Sequence, residues 1–173
     1  MSVSRSPRSL SLLVTVVACG GAAPEAHFSD GNFSKGDEHF HVQPPAEWQA
    51  LSPPAGDLAW RDPRSRSVIA ANATCKGHAD APLGILVNDL LIGTTERKVL
   101  LDELAALDGR EARHEVVAVK VDGVRLVYDL YVVKKDGCVY DLSLVAPPEA
   151  YDGVADRFVS FVAAFRAPGG GAR

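Results

Sequence analysis

The Asp-Gly pair at residues 122 and 123 stands between two runs of alternating apolar residues, and it limits the possible folds more than any other feature of the chain. A two-residue hairpin loop needs positive φ at both central positions, and Asp-Gly tolerates this well. The turn pairs Val121 with Val124, Val119 with Leu126 and Val117 with Tyr128, which gathers one apolar face. Further along, Lys135-Asp136-Gly137 reads as a type I turn closed by a left-handed glycine, pairing Val132 with Tyr140, Leu130 with Leu142 and Tyr128 with Leu144. Both turns put Leu126, Tyr128, Leu130 and Val132 on one face. The opposite face mixes Val116, Ala118, Val127, Tyr131 and Val133 with Lys120, Arg125, Asp129 and Asp141, so it is partly covered as well. Residues 111–146 therefore predict an antiparallel meander.

Elements before and after the meander supply its covering layers. Residues 58–62 and 67–75 read as two strands joined at Pro63-Arg64, and residues 40–42 as a short strand ahead of Pro44-Pro45. Residues 97–107 have a helical composition but run into Asp108-Gly109 before a strand, which favours a strand. Residues 82–92 carry Leu83, Leu86, Val87, Leu90 and Leu91 at helical spacing, with Gly93 after them. A second apolar stripe, Tyr151, Val154, Phe158, Phe161, Val162 and Phe165, marks a helix over residues 148–166. Strands with two such helices predict an α/β (α+β) domain, an α-β-α sandwich with a largely antiparallel sheet.

The start of the chain predicts export. Arg5 and Arg8 precede an apolar run over residues 10–18 that is too short to span a bilayer. The tetrad Val16-Val17-Ala18-Cys19 resembles the bacterial lipobox, which implies a signal peptide at residues 1–18 and a lipidated Cys19 holding the protein on a membrane. Two or more acyl chains anchor a protein stably, each buried CH₂ contributing about 0.8 kcal/mol. Gly20 follows the cysteine in place of an aspartate, which favours the outer membrane, facing the periplasm. Residues 19–37, rich in Gly, Ala, Ser and Asp, suit a flexible tether, residues 38–166 a single domain and residues 167–173 a frayed tail. Loss of the signal lowers the 18 basic residues to 16 against 22 acidic ones, a formal charge of −6, which argues against nucleic acid as a partner.

The order of elements, with Pro44-Pro45-Ala46-Glu47-Trp48 in the first turn and Phe161-Val162-Ala163-Ala164-Phe165-Arg166 at the end, resembles the PsbP/Mog-like superfamily, which includes DcrB-like bacterial lipoproteins. That resemblance implies an accessory or protein-binding role and carries no catalytic set. The expectation is a non-enzymatic envelope lipoprotein with an envelope protein as partner and no cofactor. The alternative is a small-ligand or metal-binding envelope protein.

Candidate chemistry is sparse. Apart from Cys19, the cysteines are Cys75 and Cys138, and an even pair in an oxidising compartment predicts a disulfide. A competing metal reading rests on Cys75-Lys76-Gly77-His78 with Cys138 as a further donor, and on His39 and His41, two apart on a strand and so on one face. No Gly-x-Ser-x-Gly, Ser-x-x-Lys or His-Glu-x-x-His motif occurs. Asp102 and Glu103 are adjacent, so on a strand they point to opposite faces and do not form an acid–base pair. Trp48, Trp60, Tyr131 and Tyr140 are expected to fill the core ahead of lining a groove.

Overall fold

A computed structural model describes residues 24–53, 56–77 and 80–167. The signal at residues 1–18, Cys19, His78 and the tail beyond residue 167 lie outside the described residues.

Twelve elements follow one another: β1 (His27–Ser29), β2 (Asn32–Lys35), β3 (Glu38–His41), β4 (Gln49–Leu51), β5 (Leu58–Arg61), β6 (Val68–Thr74), α1 (Leu83–Leu90), β7 (Thr95–Leu107), β8 (Arg110–Val121), β9 (Val124–Lys135), β10 (Cys138–Ala146) and α2 (Pro148–Ala164). β1–β3 form one antiparallel sheet, and the other seven strands form a second in the order β4-β5-β6-β10-β9-β8-β7. Every pairing is antiparallel. Residues 97–107 are strand, as the following Asp-Gly turn suggests.

The helices take opposite faces of the large sheet. Val87 and Leu91 at α1 bury against Val117, Val119, Leu130, Val132 and Val139. On the other side, Val154, Phe158, Phe161 and Val162 of α2 join Ile69, Ala112, Val133, Tyr140, Leu142 and Leu144. The predicted α-β-α sandwich is thus the observed one. Burying each of these large side chains contributes roughly 1.5–3 kcal/mol. Pro148 opens α2 at its first turn, where a missing N–H costs nothing, and Glu149 there meets the positive end of the helix dipole.

Four Asp-Gly dipeptides make four two-residue hairpins. Asp30, Asp108, Asp122 and Asp136 have φ of 51°, 48°, 48° and 53°, and each following glycine is also positive. The Asp122-Gly123 register is the expected one, Val119 opposite Leu126 and Val117 opposite Tyr128. The next turn corrects the sequence reading by one residue. Lys135 pairs with Cys138, so Tyr140 lies opposite Val133, Leu142 opposite Tyr131 and Leu144 opposite Asp129. Asp136-Gly137 alone forms the loop, and the one-residue shift turns every β10 side chain to the other face. Alternation did not reveal this because β9 is apolar on both faces, with Leu130 and Val132 on one and Tyr131 and Val133 on the other.

The chain between residues 27 and 35 is also a correction. In place of the expected tether, β1 and β2 form a hairpin through Asp30-Gly31, and Phe28, Phe33 and Phe40 stand in one cross-strand row. This row closes over the core: Phe28 meets Trp60 at 5.4 Å between ring centroids, Phe33 stacks on Phe40 at 4.7 Å, and Phe40 lies 6.3 Å from both Tyr140 and Phe165. Of the two exposed-looking aromatics of a polar segment, Phe33 is a core residue and Phe28 packs, partly buried, against the core. The small sheet is tied to the end of the chain by paired backbone bonds between His41 and Arg166.

Candidate functional site

Cys75 follows β6 and Cys138 opens β10, beside the Thr74–Val139 pair, so the ladder itself brings them together. They form a disulfide with Cα atoms 4.0 Å apart, 63 residues apart in sequence. A closed loop of this length stabilises the fold by about 4 kcal/mol in the chain-entropy account. Both sulfurs are therefore committed to each other, and the metal reading of Cys75 and Cys138 is set aside.

His39 and His41 project from the outward face of β3. The registers His27–Ser34–His39 and Ser29–Asn32–His41 place His27, Ser29, Asn32 and Ser34 on the same face. Together with Arg166 they line an open cavity of about 550 Å³. His41 Nδ1 lies 3.2 Å from Asn32 Oδ1. Among the described residues no three metal-ligating side chains are gathered about one point.

The densest polar constellation was not singled out from sequence. His114 of β8 lies on the α2 face between two carboxylates: its Nε2 is 2.9 Å from Asp129 Oδ1 and its Nδ1 is 3.1 Å from Glu103 Oε1. Tyr151 of α2 donates its hydroxyl to Asp129 Oδ2 at 2.8 Å. The imidazole stacks on Tyr131 at 4.0 Å with an interplanar angle of 15°. His114 is 8% exposed and Asp129 4%, so both are out of bulk water. Burial opposes the protonated imidazole, but the hydrogen bonds and charges of Asp129 and Glu103 outweigh it and raise the His114 pKa above its ordinary value. Burial and the Asp129 charge push the Tyr131 hydroxyl up to about 12. The hydroxyl of Tyr151 is driven up as well, by burial and by its bond to Asp129.

An Asp–His pair beside a tyrosine resembles part of a catalytic relay, but here each polar atom of His114 is already held by a carboxylate, leaving no ring nitrogen to take a substrate proton. The arrangement is a charge clamp that joins β7, β8, β9 and α2. The signal was present: the Asp122-Gly123 turn, extended back along its strands, sets His114 opposite Tyr131.

A second polar chain runs from Lys35 to Asp57 at 2.9 Å, from Asn72 to Asp141 at 2.7 Å, and joins at the Asp57 N–H, which donates to Asn72 Oδ1. Burial lifts the Asp141 carboxyl to about 6, with the nearby Asp57 charge adding to it and the Asn72 bond opposing it. Trp48, Trp60 and Tyr140 are buried as expected. Tyr131 packs between His114 and Phe158.

No protein-family model matches the sequence and no curated protein is significantly similar to it. Solved structures are similar in fold. Cyanobacterial PsbP (CyanoP) from Synechocystis sp. PCC 6803 shares 17% identity over 90% of this chain and 98% of its own, with a TM-score of 0.55. LpqN of Mycobacterium tuberculosis, described as involved in cell envelope biogenesis, shares 16% over 73% of this chain and 81% of its own, with a TM-score of 0.56. A protein of unknown function from Pseudomonas aeruginosa shares 13% over 85% and 98%, with a TM-score of 0.51. The fold is PsbP-like.

Proposed function

We propose that this chain is a non-enzymatic lipoprotein of the bacterial cell envelope, lipidated on Cys19, whose domain docks onto an envelope protein. The observation that carries the reading is the Cys75–Cys138 disulfide, because such a bond persists in oxidising compartments outside the cytosol. The lipobox-like Val16-Val17-Ala18-Cys19 names the means of attachment, and a PsbP-like fold shared with an envelope-biogenesis protein supports an accessory role. Outer-membrane placement rests on Gly20.

Labelling cells with radioactive palmitate is expected to mark the wild-type chain and not Cys19→Ser, with the wild type in the membrane fraction. An unlabelled wild type removes the anchor from the proposal. Affinity purification from detergent-solubilised envelopes is expected to enrich a protein over the Cys19→Ser control, and no enrichment removes the docking role.

A second reading, a small-ligand site, is favoured by one observation: three imidazoles and Arg166 line the cavity on the outward face of β1–β3. Zinc or copper titration followed by histidine NMR tests it. Unmoved His27, His39 and His41 resonances end the metal form of this reading.

A further inference from the structure

Strand β7 forms one edge of the seven-stranded sheet, and among the described residues no strand pairs with its outer side. It is long, thirteen residues, and apolar at its middle: Val99 is 56% exposed, Leu100 51% and Leu104 58%. A long uncovered edge offers unpaired N–H and C=O groups to any extended chain. Charges commonly guard such edges, but here they are sorted. Basic Arg97 and Lys98 precede the apolar trio Val99-Leu100-Leu101, and acidic Asp102 and Glu103 follow it.

Reversal turns this order into its own complement. Antiparallel pairing of two β7 strands about a two-fold axis at Leu100 sets the basic end of each against the acidic end of the other, with the apolar trios between. Parallel pairing in register sets like charges opposite. His114 takes Oε1 of Glu103 and Arg113 pairs with Oδ2 of Asp102, which leaves the second oxygen of each carboxylate for the other copy. The β7 ladder has register shifts between Thr95 and Lys98 and between Val99 and Leu101, and the second falls at the axis, where both copies bend alike.

We propose that β7 is a self-association edge, joining a second copy of this chain antiparallel about Leu100 into one continuous sheet. It stands independently of the lipid anchor and of any other partner.

The test uses the full chain with Leu100→Cys, expressed with export and read on non-reducing gels. Cys75 and Cys138 are paired with each other, and the chain without the new cysteine is the background. A disulfide-linked dimer is expected at about ten-fold the level given by Val124→Cys, an exposed site on the β8–β9 hairpin and off the β7 edge. Adding Lys98→Glu, which sets two acidic ends together, lowers the dimer about ten-fold, and Lys98→Glu with Asp102→Lys restores it. No dimer, a dimer unaffected by Lys98→Glu, or a cross-link to a protein of different mass overturns the proposal. Arg97→Glu serves in place of Lys98→Glu if the latter fails to accumulate.

Discussion

His114 and Asp129 meet at 2.9 Å across neighbouring strands, and the other oxygen of that aspartate holds Tyr151 of the helix packed above them. A single buried carboxylate thus fastens α2 to the sheet through a charged ring that Glu103 completes from β7. The raised His114 pKa means that protonation is favoured by folding. Its contribution is fully present below the unfolded value of about 6.5 and is lost as pH rises through the higher folded value. Stability measured by urea unfolding is expected to fall across that window in the wild type and to lose this dependence in His114→Gln. A proton NMR titration placing His114 below 6.5 contradicts it.

Removing His114 leaves the buried Asp129 carboxylate with Tyr151 in place of a charged partner. His114→Ala is expected to cost about 3 kcal/mol, as for other broken buried charge pairs. Tyr151→Phe, which removes one hydrogen bond to a charged group, is expected to cost about 2 kcal/mol. Both are read as shifts in the urea midpoint at constant slope.

Asp141 shifts stability with pH in the same direction, over a lower range. Its carboxyl, lifted to about 6, binds its proton more tightly in the folded state than in the unfolded one, so folding stability declines as pH rises from about 4 to 6 and stays lower above that. Asp141→Asn is expected to be more stable than wild type at pH 7 by about 1 kcal/mol, a figure discounted for partial solvent screening, with the difference vanishing near pH 4. Denaturation curves at the two pH values check this, and a less stable variant at pH 7 refutes it.

Covalent closure between β6 and β10 is expected to stabilise the fold on the scale of a buried core side chain. Replacing Cys75 and Cys138 together by serine, or reducing the bond, should lower stability by about 2–4 kcal/mol, or roughly 10 °C in Tm. Calorimetry with and without reductant measures it.

The small sheet supplies another test. Phe40→Ala is expected to cost about 3–5 kcal/mol, because the ring touches Phe33, Tyr140 and Phe165 at once. A chain beginning at residue 38, the boundary that composition suggests, should be measurably less stable than one beginning at residue 24, since it lacks Phe28 and Phe33. Equal melting points would mean that β1 and β2 add nothing to the core.

Much of the large sheet was legible in its turns and stripes. The Asp122-Gly123 register and both helices follow from spacing alone, because local turn chemistry and a 3.6-residue period act over short distances, and the cysteine pairing follows from an even count in an oxidising compartment. The β9–β10 register did not, since β9 is apolar on both faces and either one could take the Tyr140–Leu142–Leu144 side of β10. The Phe28–Phe33 hairpin was masked by a segment rich in Gly, Ser and Asp, although its Asp30-Gly31 pair is the same signal as the other turns. The His114 clamp draws on β7, β8, β9 and α2, and its bonded pairs lie 11, 15 and 22 residues apart in the chain, so only a register carried through two hairpins brings them together.

The bond between Cys75 and Cys138 also changes how the molecule carries force. Tension applied through its two ends passes from β6 directly to β10, and the chain between, with α1 and β7–β9, bears none of it. At about 3.4 Å per extended residue, roughly 200 Å of contour is withheld from any stretch of the molecule. Force on the two ends is therefore borne by the small sheet, β4–β6, β10 and α2, while α1 and β7–β9 keep their shape.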